Sequence, residues 1–325
     1  MTTKLYEPAL IGLDDVEAAA RRIAGQARRT PLVATLLGRP DAPVHLKAES
    51  LQLGGSFKFR GALNAVAQLT ESERARGVLT HSSGNHAQGL ARAAQALGLR
   101  ATIVMPTQSP AVKVQATRAL GADVVLVDAA ERASTVERLQ AETGAVFVPP
   151  YDHPAIIAGQ GTVGLEICAD LPDVATVWVP VSGGGLVSGI ATAVKALSPG
   201  VRVIAVEPEL AGDLAAGWAA GERVVWDSDR TGRTIADGLR TQSVGVLNWH
   251  HIRDRVDEVV TVSEDDILAA MRDIMIGAKL VAEPSGAVAL AGWQRHAARL
   301  DLSGPAVAVV SGGNVEPALL REVLQ

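Results

Sequence analysis

The sequence predicts an α/β protein: two domains with open, mostly parallel sheets flanked by helices. Three observations carry this. Short runs rich in Val, Ile and Ala alternate with longer stretches of helical periodicity through most of the 325 residues. Hydrophobic residues make up 48% of the chain and aromatics only 3%, which suits small-residue helices packed on buried strands. Pro149-Pro150 interrupts the alternation near the middle and separates two layers. The net charge of −5, with no long basic block, argues against nucleic acid or an anionic membrane as partner. A lone cysteine, Cys168, excludes an internal disulfide framework and fits a reducing compartment. With no apolar signal core and no membrane-length run, a cytoplasmic protein is expected.

In chain order, residues 1–43 read as an arm and one helix, with apolar positions at helical spacing from 13 to 27. A strand at 44–48 leads into Gly54-Gly55-Ser56-Phe57-Lys58-Phe59-Arg60-Gly61. The glycines end a loop, and Ser56 is placed to cap a helix at 56–69 with Phe59, Leu63 and Val66 on one face. Strand and helix pairs follow at 78–81 and 87–97, 101–105 and 110–120, and 123–127 and 130–143, then a strand at 145–148. The helix at 154–170 contains Gly159, Gly161 and Gly164, which cost helix stability and imply close approach of another element. A strand at 176–181, a helix at 186–197 and a strand at 202–206 come next. Residues 207–255 are glycine-rich and read as loops with short helices. A strand at 258–262, helices at 264–277 and 285–299 and a strand at 306–310 complete the pattern.

Four polar stretches carry candidate chemistry. Lys58 and Arg60 sit in a first helical turn, the positive end of the dipole, which favours an uncharged, nucleophilic amine at Lys58. Two solvated surface cations are the alternative. Ser82-Ser83-Gly84-Asn85-His86 follows a strand and offers several donors to a carboxylate at a helix start, more than capping by Ser83 or Asn85 requires. His86 is a candidate base or a structural residue. Ser182-Gly183-Gly184-Gly185-Leu186 joins a buried strand to an apolar helix, the architecture of a phosphate cradle. It lacks the Gly-Lys-Ser/Thr ending of a nucleotide loop, and Ser188 replaces the third glycine of the dinucleotide fingerprint. Glu207, at the end of the next strand, imitates a ribose-binding acid, so this half alone leaves a nicotinamide oxidoreductase open. Ser311-Gly312-Gly313-Asn314 brings a hydroxyl that suits a ring nitrogen, or simply a turn. An aldehyde-trapping lysine, a carboxylate loop, a phosphate cradle and a ring-nitrogen partner together describe pyridoxal 5′-phosphate and an amino-acid substrate. A non-catalytic ligand-binding protein of the same fold is the other rival.

Gly55-Ser56-Phe57-Lys58-Phe59-Arg60-Gly61-Ala62 resembles the lysine motif of the serine/threonine dehydratase and serine racemase family, of pyridoxal-phosphate fold type II. Ser82 to His86, Ala158-Gly159-Gln160-Gly161-Thr162, Ile235-Ala236-Asp237-Gly238, Ala282-Glu283-Pro284-Ser285 and Ser311 to Asn314 match in the same order. The resemblance implies a cofactor site in the cleft between a large cofactor-binding domain, residues 1–50 plus 151–325, and a small substrate-loop domain, residues 51–150. It implies that Lys58 forms the Schiff base and removes the substrate α-proton, and that Phe57 flanks the ring. Asn85 meets the 3′-oxygen, the backbone of Ser182, Gly183, Gly184, Gly185 and Leu186 holds the phosphate, and Ser311 faces the ring nitrogen. Ser82, Ser83, Gly84, Asn85 and His86 bind the substrate, and Ser83 stands where racemases keep the acid–base hydroxyl of the opposite face. Glu207, Ala211 and Asp213 match the spacing of the divalent-cation site in the racemase branch of that family, which implies Mg²⁺ or Ca²⁺ there; two surface acids after a strand are the alternative. Arg60 is assigned to structure. The implied activity is dehydration and deamination of L-threonine or L-serine to a 2-oxo acid and ammonia. A serine racemase or a 3-hydroxyaspartate-type dehydratase are the alternatives. A homo-oligomer, dimer or tetramer, is expected, without feedback regulation by an added C-terminal domain.

Overall fold

The computed structural model describes residues 9–38 and 41–325; residues 1–8 of the expected arm lie outside them. Among the described residues, ten strands form two sheets: β1 (Leu32–Ala34), β2 (Val44–Ala48), β3 (Val78–His81), β4 (Ala101–Pro106), β5 (Asp123–Val127), β6 (Val146–Phe147), β7 (Thr176–Pro180), β8 (Arg202–Pro208), β9 (Glu258–Val262) and β10 (Ala306–Val310). The larger sheet has the order β1-β2-β10-β7-β8-β9 and the smaller β5-β4-β3-β6. All pairings are parallel except β1 with β2, a strand the sequence pattern does not reveal because it is three residues long and half-exposed.

Parallel strands covered by helices on both faces must be apolar throughout, and here the two faces separate with period two. Val177 and Val179 of β7, Val203 and Ala205 of β8 and Val307 and Val309 of β10 enter one core. Trp178, Ile204, Val206, Ala306, Ala308 and Val310 enter another. Each fully buried Val or Ile contributes roughly 1.5–3 kcal/mol. The helices are α1 (Leu13–Ile23), α2 (Lys58–Ala67), α3 (Glu71–Arg76), α4 (Asn85–Leu97), α5 (Ala111–Ala119), α6 (Arg132–Thr143), α7 (Pro154–Asp170), α8 (Gly185–Leu197), α9 (Asp213–Ala220), α10 (Ser228–Thr231), α11 (Val246–Arg255), α12 (Glu264–Ala278), α13 (Pro284–His296) and α14 (Pro317–Val323). The glycines of α7 meet the backbone contacts their positions foreshadow. A Cβ at Gly159 would lie 2.6 Å from Gly61 of α2, and one at Gly161 2.8 Å from the Gly189 carbonyl of α8.

Strand order places the functional loops. In the smaller sheet β4 and β5 lie on one side of β3 and β6 on the other, so the switch point falls beside the loop that follows β3. In the larger sheet β8 and β9 extend from one side of β7 and β10 lies on the other. The loops after β7 and β10 therefore flank the second switch point. Among the described residues, no helix is long and apolar enough to cross a membrane.

Candidate active site

The lysine turn departs from the capping expectation. Ser56 does not cap α2; the N-cap is Phe57, and no described side chain caps this end. Ser56 is 1% exposed and bridges backbone to backbone with Gly312. The Phe57 N–H donates to the Ser311 carbonyl at 3.1 Å and the Gly313 N–H to Gly55 at 2.9 Å. Tertiary pairing with the loop after β10 outcompetes local capping and holds Lys58 in place. The Lys58 amine donates to the Pro150 carbonyl at 2.7 Å and lies 5.1 Å from the Phe57 ring centre. Burial lowers its pKa to about 8. The shift runs in the direction of the neutral-amine expectation, and its physical cause is desolvation, not the helix dipole. Arg60, two residues on, turns into the protein. It is 1% exposed and pairs with Glu49 at 2.8 Å and Glu166 at 2.7 Å, so it is not a solvated cation.

At the end of β3, Ser82, Ser83, Gly84 and Asn85 are half-buried, and α4 begins at Asn85 with Gly84 as N-cap. Neither Ser83 nor Asn85 caps α4, so ordinary capping does not explain the run. The first N–H groups of α4 remain suited to an anion. Asn85 Nδ2 donates to Glu283 Oε1 at 2.5 Å, and Asn85 Oδ1 accepts from Asn314 Nδ2 at 2.8 Å. His86 is 3% exposed, and its Nε2 donates to the Val148 carbonyl at 3.0 Å. Burial, then the nearby Lys58 charge, lowers its pKa to about 3. Its imidazole stays neutral and committed to structure, which removes it as a base and leaves its backbone to the loop.

The glycine loop after β7 is built for close approach. Gly184 has φ +91°, and a Cβ on Gly183 would lie 2.3 Å from Cγ of the Tyr151 ring. Asn248 Nδ2 donates to the Gly183 carbonyl at 2.6 Å, and the Ser182 and Thr241 hydroxyls are 2.8 Å apart. No described side chain caps α8, and Leu186 is buried in its first turn. A loop without side chains, backed by Tyr151 and Asn248 and opening on helix N–H groups, fits a phosphate. Ser311 is 3% exposed, and its hydroxyl donates to the Ser285 carbonyl at 3.3 Å. Tyr151, Asn248 and Glu283 are the residues the motif reading missed. Glu283 lay inside a matched motif without a role, whereas Tyr151 and Asn248 had no local signal. Burial, then the Asp237 charge, raises the Glu283 pKa to about 8.

Glu207 and Asp213 form a separate buried pair, 0% and 2% exposed, with Ala211 buried between them in sequence. Glu207 accepts from the N–H groups of Leu214 and Ala215 at 3.3 and 2.9 Å. Burial, then the Asp213 charge, holds the Glu207 pKa well above the usual range, and burial raises that of Asp213 to about 7. Asp213 Oδ2 is buried with no hydrogen-bond partner among the described residues. Two acids that repel each other and an orphaned oxygen fit a cation. No cluster of three or more His, Cys, Asp or Glu suited to a metal occurs among the described residues.

A partly buried, desolvated amine, a glycine loop and the open start of a helix lie at the carboxyl ends of strands in the two sheets. Fold and site together define an α/β protein built to hold a phosphorylated carbonyl cofactor. The chain belongs to the pyridoxal-phosphate dependent enzyme family, whose pattern matches residues 23–312. Its cofactor is accordingly pyridoxal 5′-phosphate. The chain is 44% identical over 324 residues to an L-threonine ammonia-lyase of Thermotoga maritima, covering 97% of this chain and 78% of that protein. It is 39% identical over 307 residues to an L-threo-3-hydroxyaspartate ammonia-lyase of Saccharomyces cerevisiae, covering 93% of each. The structure of maize serine racemase superposes with a TM-score of 0.91 at 38% identity, covering 97% of both chains. The fold is therefore the two-sheet type II arrangement that the sequence predicts.

Proposed function

We propose that this protein is an ammonia-lyase that converts a β-hydroxy amino acid, L-threonine or L-serine, into a 2-oxo acid and ammonia by loss of water and then of ammonia. The observation that carries the reading is the partly buried Lys58 amine, which donates to the Pro150 carbonyl at 2.7 Å and whose pKa burial lowers to about 8. When bound, pyridoxal phosphate supplies an electron sink for the substrate's α-carbon. Lys58 holds the cofactor and takes the proton from that carbon at Nζ. Phe57 would flank the cofactor ring and Asn85 would meet its 3′-oxygen. The N–H groups of Ser182 to Leu186 would hold the phosphate, on a loop that Tyr151 and Asn248 pack against. Ser311 offers the ring nitrogen a neutral hydroxyl in place of a carboxylate, which favours elimination over chemistry that needs a long-lived carbanion. The hydroxyls and N–H groups from Ser82 to His86 orient the substrate carboxylate.

The same reading includes a small domain of residues 51–150 against residues 1–50 plus 151–325, supported by the separate sheet formed within residues 78–147. It also includes a divalent cation at Glu207, Ala211 and Asp213, a homo-oligomer and a cytoplasmic location. Racemisation is a second reading, supported by Ser83 in the substrate loop and by the likeness to serine racemase. Borohydride reduction followed by peptide mass spectrometry tests the site: a cofactor adduct is expected at Lys58, and its absence refutes the reading. Release of 2-oxo acid from L-threonine, L-serine, D-serine and the 3-hydroxyaspartate diastereomers tests the reaction. Interconversion of enantiomers without oxo-acid release refutes the lyase.

A further inference from the structure

Two ionic contacts of opposite character join residues 51–150 to the rest of the chain. Arg60 of α2 joins Glu49 and Glu166 of α7 in a buried cluster, where separation would strand charges out of water. Lys113 of α5, which follows β4 of the smaller sheet, reaches Asp237 at 2.5 Å across 124 residues of sequence. Here the side chains keep 18% and 40% of their exposure, so water and salt reach the pair. Asp237 precedes Gly238, whose N–H donates to the Ser285 hydroxyl at 2.9 Å, and the Ser285 carbonyl accepts from Ser311. Lys113 and Asp237 both act on the charge of Glu283, the acid bonded to Asn85. The pair therefore stands beside the residues assigned to the cofactor ring, and it joins the two layers there.

We propose that Lys113 and Asp237 form a latch that holds the smaller layer closed over the bound cofactor and amino acid and releases it for exchange. The proposal rests on the cofactor reading of the site. The buried Arg60 cluster suits a fixed edge, because opening it is costly. A half-exposed pair suits a moving edge, because its contribution is small and is screened by salt. A pair of this kind biases a closed/open ratio by up to about fivefold. Lys113 and Asp237 are positioning residues in this scheme; neither needs to touch the reacting atoms.

The test uses the cofactor-loaded protein and follows decay of its visible absorbance in the presence of an external aldehyde trap. Asp237→Asn and Lys113→Met should each speed cofactor loss about fivefold at low ionic strength. Loss from the wild type should accelerate with salt, while loss from the single variants should not. The exchanged pair, Lys113→Asp with Asp237→Lys, should recover the slow, salt-sensitive rate, a recovery that simple damage to packing would not give. If Lys113→Met misfolds, Asp237→Asn, equal in size and partly exposed, carries the test. Wild-type rates in the single variants, or no recovery in an exchanged variant of unchanged melting temperature, overturn the latch. A wild-type protein that takes up no cofactor overturns the site reading and the latch together, and the missing absorbance band distinguishes that outcome.

Discussion

Replacing Lys58 by methionine should abolish turnover and, in the cofactor-free protein, raise stability at neutral pH. Methionine keeps most of the aliphatic stem and removes the amine. Burial lowers the amine's pKa from 10.5 to about 8 in the folded protein. The unfolded chain then binds the proton more tightly, so folding is penalised below about pH 8 and the penalty fades as pH rises towards 10.5. At 1.36 kcal/mol per pKa unit the penalty at pH 7 is about 3 kcal/mol. At about 2.1 cal/mol/K per residue, unfolding entropy for a chain of this length is near 0.7 kcal/mol/K, so the variant should melt about 4 °C higher. Calorimetry from pH 6 to 10 checks this: the wild type should gain stability above pH 8, and the variant should lack that rise. A variant that melts no higher than the wild type at pH 7, or that keeps the same rise, would refute a desolvated amine.

Arg60→Met should behave in the opposite way, costing about 3–5 kcal/mol by stranding Glu49, with melting temperature as the measure. Gly183→Ala should weaken cofactor binding about tenfold or more, because the new Cβ would lie 2.3 Å from the Tyr151 ring; titration with pyridoxal phosphate reads the change directly. Acid should destabilise the fold through His251, whose Nε2 accepts from the Ile11 N–H at 3.1 Å and whose pKa burial lowers to about 4. The unfolded chain protonates first, so about 3 kcal/mol is lost as pH falls from 6.5 to 4, and His251→Gln should show a shallower fall in melting temperature. Mg²⁺ or Ca²⁺ at 100 times its dissociation constant should add about 2.7 kcal/mol of stability. That gain should shrink as Asp213 protonates below about pH 7 and vanish in Asp213→Asn.

Much of the site was legible because its chemistry is written in contiguous stretches. Ser82 to Asn85, Ser182 to Leu186 and Ser311 to Asn314 each stand out where a strand ends. What escaped were residues whose roles depend on distant partners. Glu283 meets Asn85 across 198 positions, and Tyr151 lies under Gly183 without a motif of its own. The short elements β1, α3 and α14 escaped, and the short helices expected within 207–255 had no bounds, for a related reason. Each is too brief or too weakly periodic for its pattern to stand clear of a loop.

The sequence by itself determined the alternation of strands and helices, the parallel buried sheets and the loops with capacity for an amine, a phosphate and a carboxylate. These follow from side-chain periodicity and local backbone preference, which operate within a few residues. Tertiary structure alone decided the strand orders that put those loops at two switch points. It also decided that Ser56 pairs with Gly312 instead of capping a helix, and that Lys58 and Arg60 part company. One amine is desolvated beside the cradle, and one guanidinium is neutralised between Glu49 and Glu166. Burial and pairing energies depend on which distant groups surround a charge, and no local pattern encodes that.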